Sequence, residues 1–318
     1  MTWCDMTSPR FSIVIPAWNV ERWLPETIAS VRAQTVTDWE LIIVDDGSTD
    51  GTAAIVKGLD DARVRLISQP NSGVSIARNR GISEARGEFI AFLDADDLWS
   101  PTHLQRAQGY FESFPEGQWY AGRKAGGTQP PRSWEEGQGF DEHCYFTDNG
   151  DFLPHSSSVV LRRSFISDIP ELFPAHVPYG EDIVAWARLA CKNPIFGSGK
   201  VVSVFYRCRQ GSAMETRSSN KELERENRYL ALHDELVLPS IHSKEARLFV
   251  QMRILQGMRG IMERRALKSE FTEMIDRYQG KLGPVFTLWI RLFTFLLRVL
   301  VWAFKQPMQH YLVRHRAH

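Results

Sequence analysis

Apolar residues come along the first hundred positions in short, nearly unbroken runs, separated by stretches in which they recur at three- and four-residue intervals. Residues 11–16, 40–44, 64–67 and 88–93 are short, predominantly apolar runs, with Glu40 and Glu88 at their starts and Ser12 and Arg65 within, and read as strands. Residues 21–34, with Leu24, Ile28 and Val31 on one face, read as a helix, as do 52–59 and 75–85. Near-continuous apolar strands alternating with helices predict an α/β fold: a mostly parallel sheet covered by helices on both faces. Residues 118–149 are rich in Gly, Pro, Gln and Trp and read as loops or an irregular insertion. Residues 156–161 and 201–207 resume as strands around a helix at 181–192, and long charged helices follow at 221–236 and 243–278.

Two of these strands run into acidic clusters. Residues 40–44 end in Asp45-Asp46-Gly47-Ser48, and residues 88–93 end in Asp94-Ala95-Asp96-Asp97. Ligands of open parallel sheets bind beyond the carboxyl ends of the strands, where both clusters fall. Asp46 could accept hydrogen bonds from a base or ribose, and Asp, Ser and Thr before a helix also serve as ordinary N-caps. Asp94 and Asp96 are two residues apart and so share one side of an extended segment. Carboxylates held that close repel unless a cation joins them, and Mg²⁺ and Mn²⁺ take such oxygen ligands together with substrate phosphates. An exposed acidic turn is the competing reading, but a wholly apolar strand ending in three aspartates argues for metal–diphosphate binding.

The ordered motifs resemble glycosyltransferase family 2. They are Ile15-Pro16-Ala17-Trp18-Asn19, Leu41 through Thr52 with its Asp45-Asp46-Gly47-Ser48 turn, Asn71 through Asn79, and Phe92-Leu93-Asp94-Ala95-Asp96-Asp97. The resemblance implies the A-type glycosyltransferase fold and inverting transfer from a nucleoside-diphosphate sugar to a hydroxyl of a glycan or lipid-linked acceptor. It places Pro16 and Trp18 beside the base, with Trp18 where Tyr is more usual. Asp46 becomes the base-binding aspartate, Arg78 a donor-side residue, Asp94 the carboxylate on the ribose and metal side, and Asp96 the direct ligand of Mn²⁺ or Mg²⁺. Tyr179-Gly180-Glu181-Asp182 resembles the family's Glu-Asp motif, which makes Asp182 the catalytic base. A capping acid at a helix start is the competing reading of Asp182. The stretch from Tyr206 to Ser212 resembles one in the family where Tyr-Arg is followed by His and Ser near the diphosphate, with Arg209 where His is common. His155 could contact the acceptor, but a lone His beside a strand is more often structural, and it is left out of the site.

Other chemistries fit less well. An aspartyl-phosphate enzyme places its Asp-x-Asp after the first strand and follows it with Thr or Val, whereas here the pair comes late and precedes Asp97-Leu98. A dinucleotide-binding fold needs a Gly-rich turn where this chain has Pro16-Ala17-Trp18-Asn19. A processive synthase of the same family needs several spanning helices and a Gln-x-x-Arg-Trp motif, and neither is found. A binder without catalysis should have lost Asp96 or Asp182.

Composition changes this picture mainly at the C-terminus. Lys+Arg and Asp+Glu both total 38, so net charge does not point to nucleic acid. Four scattered cysteines without a CxxC argue against a disulfide framework or zinc site. Residues 1–10 hold Asp5 and no apolar core of signal-peptide length, which predicts a cytoplasmic chain. Beyond Asp276 there are no acidic residues, and 284–305 is apolar with Trp289 and Trp302 near its ends. Thr287, Arg291, Thr294, Arg298 and Lys305 form one polar stripe on a helix there. Each arginine would cost about 2.5–3.5 kcal/mol at a bilayer centre, so the stripe predicts a helix lying in the inner face of the cytoplasmic membrane. A helix packed on the catalytic domain or on a second copy is the alternative. The organisation expected is a catalytic domain at 10–215, with a donor half at 10–100 and an acceptor half at 101–215. A helical extension at 220–280 and the membrane-surface helix at 284–305 follow.

Overall fold

A computed structural model describes residues 8–145, 154–177 and 180–208. The extension at 220–280 and the apolar helix at 284–305 lie outside the described residues. Strand β1 (Phe11–Ala17), helix α1 (Leu24–Arg32), β2 (Trp39–Asp45), α2 (Thr52–Lys57), β3 (Val64–Ser68), α3 (Val74–Glu84) and β4 (Phe89–Phe92) follow the predicted alternation. Then come β5 (Leu98–Trp99), α4 (His103–Ser113), β6 (Trp119–Ala121), β7 (Arg123–Gly127), β8 (Phe140–Cys144), β9 (Val159–Arg162), α5 (Glu181–Lys192), β10 (Ile195–Gly199) and β11 (Val202–Arg207).

The main sheet has the order β3-β2-β1-β4-β9-β6-β10-β8. Its donor half is parallel throughout, because β1 pairs in parallel with both β2 and β4, and β2 with β3. Beyond β4 the sheet is mixed, with β9 antiparallel to both β4 and β6, and β8 antiparallel to β10. A second sheet, β5-β11-β7, stands beside it. The chain steps outward from β1 to β2 and β3, then returns to the other side of β1 for β4. That reversal opens a crevice at the carboxyl ends of β1 and β4.

Both faces of β1 and β2 are buried, which explains why those runs lack the alternation of a half-exposed strand. Ile13, Ile15, Leu41, Ile43 and Ala91 pack with Leu24, Ile28 and Val31 of α1 in one core. On the opposite face α3 lies close to the sheet: a Cβ at Gly81 would come within 2.3 Å of the Val14 side chain.

Two stretches depart from the expectation. Residues 118–149, read as loop, contain β6, β7 and β8. These strands are three to five residues long, and β7 is mostly exposed and ends in two glycines, so they carry no periodic signal. Partner strands hold them instead: β11 pairs with β7, and β10 with β6 and β8. The strand expected at 156–161 begins with a 3-10 turn at Ser156–Ser158. His155 Nδ1 accepts from the Ser157 amide at 3.3 Å while the His155 amide donates to Ser158 Oγ at 3.0 Å. This reciprocal cap turns the chain before β9 starts.

Candidate active site

The turn after β2 is clipped to the turn after β1. Asn19, at φ 51°, donates its amide to Ser48 Oγ (3.0 Å) and accepts from the Thr49 amide at its Oδ1 (2.8 Å). Gly47 has φ +72°, and a Cβ there would lie 2.7 Å from the Asn71 amide nitrogen, so the Asp-Asp-Gly turn requires glycine. Trp18 projects from the end of β1 and is 56% exposed, whereas Pro16 is buried within the strand. Asp46 is buried. Its Oδ1 accepts from Gln69 Nε2 (2.8 Å) and the Ser72 amide (2.9 Å), and its Oδ2 from the Gly73 amide (2.8 Å). A carboxylate offers about four acceptor positions, so Asp46 both fixes the loop before α3 and keeps one position for another donor.

The turn after β4 is held from three sides. Thr27 Oγ1 donates to the carbonyls of Ala95 and Asp97, each at 2.9 Å. Ser157 Oγ accepts from the Asp94 amide at 3.1 Å and donates to Asp97 Oδ2 at 2.5 Å. Arg207, at the end of β11, donates its amide to Asp97 Oδ1 (2.9 Å) and its Nε to the Asp96 carbonyl (2.9 Å). Its Nη2 reaches Glu26 at 2.5 Å, and the guanidinium lies 4.8 Å from the Trp23 ring. Arg207 is therefore the strut that fixes the acidic turn to β11 and α1.

Asp94, Asp97 and His155 bring ligand atoms within 4.8 Å of one another. Asp96, the ligand expected from the resemblance, is half-buried in the same turn but is not one of those three. Asp97 is fully buried; burial first, then Asp94 and Asp96, hold its carboxyl well above the usual range. Asp94 is held below that range: burial works against the shift, but Arg78 and then His155 outweigh it. His155 is pushed down to about 4, chiefly by burial, so its imidazole is neutral near pH 7 and can act as a ligand. Two carboxylates and a neutral imidazole suit a divalent cation, and a nearby cation would relieve the mutual repulsion that raises Asp97.

Helix α5 begins after Gly180, which has φ 76°. Glu181 and Asp182 occupy its first turn, where backbone amides favour negative charge. Asp182 Oδ1 accepts from the Ile183 amide at 2.8 Å. Its pKa is pushed up to about 6 by burial first and Glu181 second, against the opposing pull of Arg78. Arg78, 4% exposed on α3, joins the two sides. Its Nη2 lies 2.7 Å from Asp94 Oδ1 and its Nη1 2.7 Å from Glu181 Oε1. Both charge-bearing ends of this guanidinium thus meet carboxylates, and it reaches the donor side through Asp94.

Of the residues named by the resemblance, Asp46 lies in the turn after β2, Asp94 and Asp96 in the turn after β4, and Asp182 in the first turn of α5, which Arg78 ties to Asp94 through Glu181. Asp97 lay in the same acidic run. Ser157 was missed, and His155 and Arg207 were noticed but given no role, because only the pairing of β9 with β4, and of β11 with β5, brings them there. Tyr179 and Arg209 lie outside the described residues.

A mostly parallel α/β sheet with acidic turns at its switch point matches the fold of solved A-type glycosyltransferases. S. aureus TarS in complex with UDP-GlcNAc superposes with a TM-score of 0.69 at 20% identity, over 84% of this chain and 79% of that one. The mannosyltransferase PcManGT from Pyrobaculum calidifontis, solved with GDP-Man and Mn2+, gives 0.56 at 14% identity over 93% and 87%. The family model for Glycosyl transferase family 2 matches residues 12–168. Among curated relatives, the uncharacterized glycosyltransferase EpsJ of Bacillus subtilis is 45% identical over 100 residues, 31% of this chain and 29% of that protein. The UDP-Glc:alpha-D-GlcNAc-diphosphoundecaprenol beta-1,3-glucosyltransferase WfgD of Escherichia coli is 40% identical over 95 residues, 30% of this chain and 38% of that protein. The chain spans about a third of the length of the curated relatives it matches.

Proposed function

We propose that this glycosyltransferase moves a sugar from a nucleoside-diphosphate sugar to an acceptor hydroxyl, with inversion at the anomeric carbon and dependence on a divalent cation. The observation that carries the reading is the Arg78 bridge. By bonding Asp94 and Glu181 at once it holds the acidic turn in a fixed relation to the start of α5, which carries Asp182. An in-line displacement needs its leaving-group side and its base held in such a fixed relation, and the bridge supports that reading.

In this reading Trp18 covers the base, Pro16 shapes the strand end beneath it, and Asp46 accepts one base N–H at its remaining position. Asp94 faces the ribose. Asp94, Asp97 and His155 would hold the cation with Asp96 beside them, and the nitrogen donor favours Mn²⁺ over Mg²⁺. A cation there would supply positive charge to the leaving diphosphate. Asp182, ionised above about pH 6, takes the acceptor proton as the new bond forms. The acceptor we infer is a glycan or lipid-linked glycan in cell-surface polysaccharide or glycolipid assembly. The acceptor written into the name of the E. coli relative supports this.

Purified enzyme incubated with UDP-, GDP- and dTDP-sugars, a lipid-diphosphate-linked glycan acceptor and Mn²⁺ tests the proposal. One donor should give product of inverted anomeric configuration by NMR, and EDTA should stop the reaction. A product that retains the donor's configuration refutes the single-displacement reading.

A further inference from the structure

We propose that Lys124 is a catalytic residue that contacts the β-phosphate of the departing nucleoside diphosphate, adding charge beside the cation site. The inference rests on the glycosyltransferase reading above and adds a residue to it that no motif assigns. Lys124 lies on β7, parallel to β11, and its Nζ sits 5.5 Å from the centre of the Tyr206 ring. The same ring receives His155 edge-on, with centroids 4.9 Å apart. His155 Nδ1 in turn lies 3.8 Å from Asp97 Oδ2. One aromatic side chain therefore links the ammonium to the imidazole and carboxylates of the cation cluster.

The other cations of this site have direct partners. Arg78 is buried between Asp94 and Glu181, and Arg207 between Glu26 and the Asp96 carbonyl. Lys124 is solvent-exposed, and among the described residues it forms no hydrogen bond or ion pair beyond its ring contact. The carboxylates whose fields reach it are Asp182, then Asp97 and Asp94; they work against the surrounding protein, which lowers its pKa. The ammonium is thus near enough to both the base and the acidic turn for their charges to act on it, and it stands on the Tyr206 ring that also meets His155.

The chemistry at that point demands a cation. The acceptor oxygen bonds to the anomeric carbon and gives its proton to Asp182. The bond from that carbon to the β-phosphate oxygen breaks, and its electron pair stays on the phosphate. The added negative charge appears on the β-phosphate alone, within reach of a flexible four-carbon stem carrying three rotatable donors. A contact that strengthens as this charge develops accelerates the transfer step.

Calorimetry of Lys124→Met and Lys124→Arg with UDP and UMP in Mn²⁺ tests the assignment, with GDP and GMP substituted if wild type prefers guanosine. Lys124→Met should bind the diphosphate about tenfold more weakly, about 1.4 kcal/mol, and transfer more slowly, with monophosphate affinity unchanged. Lys124→Arg should recover most of both losses. Lys124→Gln provides a second neutral variant should the Met variant misfold. Unchanged diphosphate affinity, with or without a raised acceptor KM, overturns the proposal, and so does an equal loss for UDP and UMP. Wild type that binds no nucleoside diphosphate refutes the glycosyltransferase reading itself, which is a separate outcome.

Discussion

Replacing Arg78 with methionine keeps much of the buried stem and removes the charge that joins Asp94 to Glu181. Asp94 is 24% and Glu181 12% exposed, so neither carboxylate recovers full hydration when its partner goes. Removing one member of a buried ion pair costs about 3–5 kcal/mol. The partial exposure of Asp94 places this variant near the low end, about 3 kcal/mol. For a domain of this size that lowers Tm by about 6–12 °C. Arg78→Lys keeps the charge but cannot bond both carboxylates with a planar fork, so about 1–2 kcal/mol is lost. Activity carries an independent signature. Asp182 must be deprotonated to act as base, so kcat/KM rises as pH rises through its pKa of about 6. Arg78 opposes the upward push of burial and Glu181 on Asp182. Without it the acid limb of the profile should move to higher pH, and in Glu181→Gln it should move to lower pH. Thermal denaturation and pH profiles of the three variants check both parts. An Arg78→Met protein that melts within a degree or two of wild type, with an unmoved acid limb, refutes the bridging role.

Asp97→Asn and His155→Ala should each weaken Mn²⁺-dependent nucleoside-diphosphate binding in calorimetry, and Asp96→Ala should do the same and abolish transfer. If Asp96→Ala alone has an effect, the cation belongs to Asp96 and the Asp94–Asp97–His155 cluster is structural. Among the described residues no helix is long and apolar enough to cross a membrane, and the polar stripe in 284–305 predicts attachment to the surface of the inner face. High salt or carbonate should release part of the full-length protein from membranes, and truncation after Gly283 should leave a soluble enzyme. A full-length protein wholly soluble without detergent contradicts that attachment.

The donor half was legible because its physics is local. Strands buried on both faces, such as Ile13–Val14–Ile15 and Leu41–Ile42–Ile43, must be continuously apolar. The turns that end them must carry glycine or short polar side chains, so Gly47 and the aspartates stand out. The α5 start was legible for a similar reason, since Glu181 and Asp182 precede a run with clear helical spacing. The rest depends on contacts distant in sequence. Nothing in Arg123–Gly127 announces a strand, because β11 supplies its pairing. His155 looks like a solitary histidine until β9 docks antiparallel to β4 and sets it beside Asp97. Arg78 sits in a family motif, but its tie to Glu181 spans 103 positions and has no local trace.

The central claim is that Asp182 removes the acceptor proton opposite a donor held at the Asp94–Asp97 turn. The direct test is turnover of Asp182→Asn at saturating donor and acceptor, with nucleoside-diphosphate affinity measured on the same preparation. Transfer should fall about 10²–10⁴-fold, with the fold and the nucleotide Kd unchanged. Near-normal turnover in a folded Asp182→Asn enzyme contradicts the account and moves the base elsewhere, with Glu181 the nearest carboxylate.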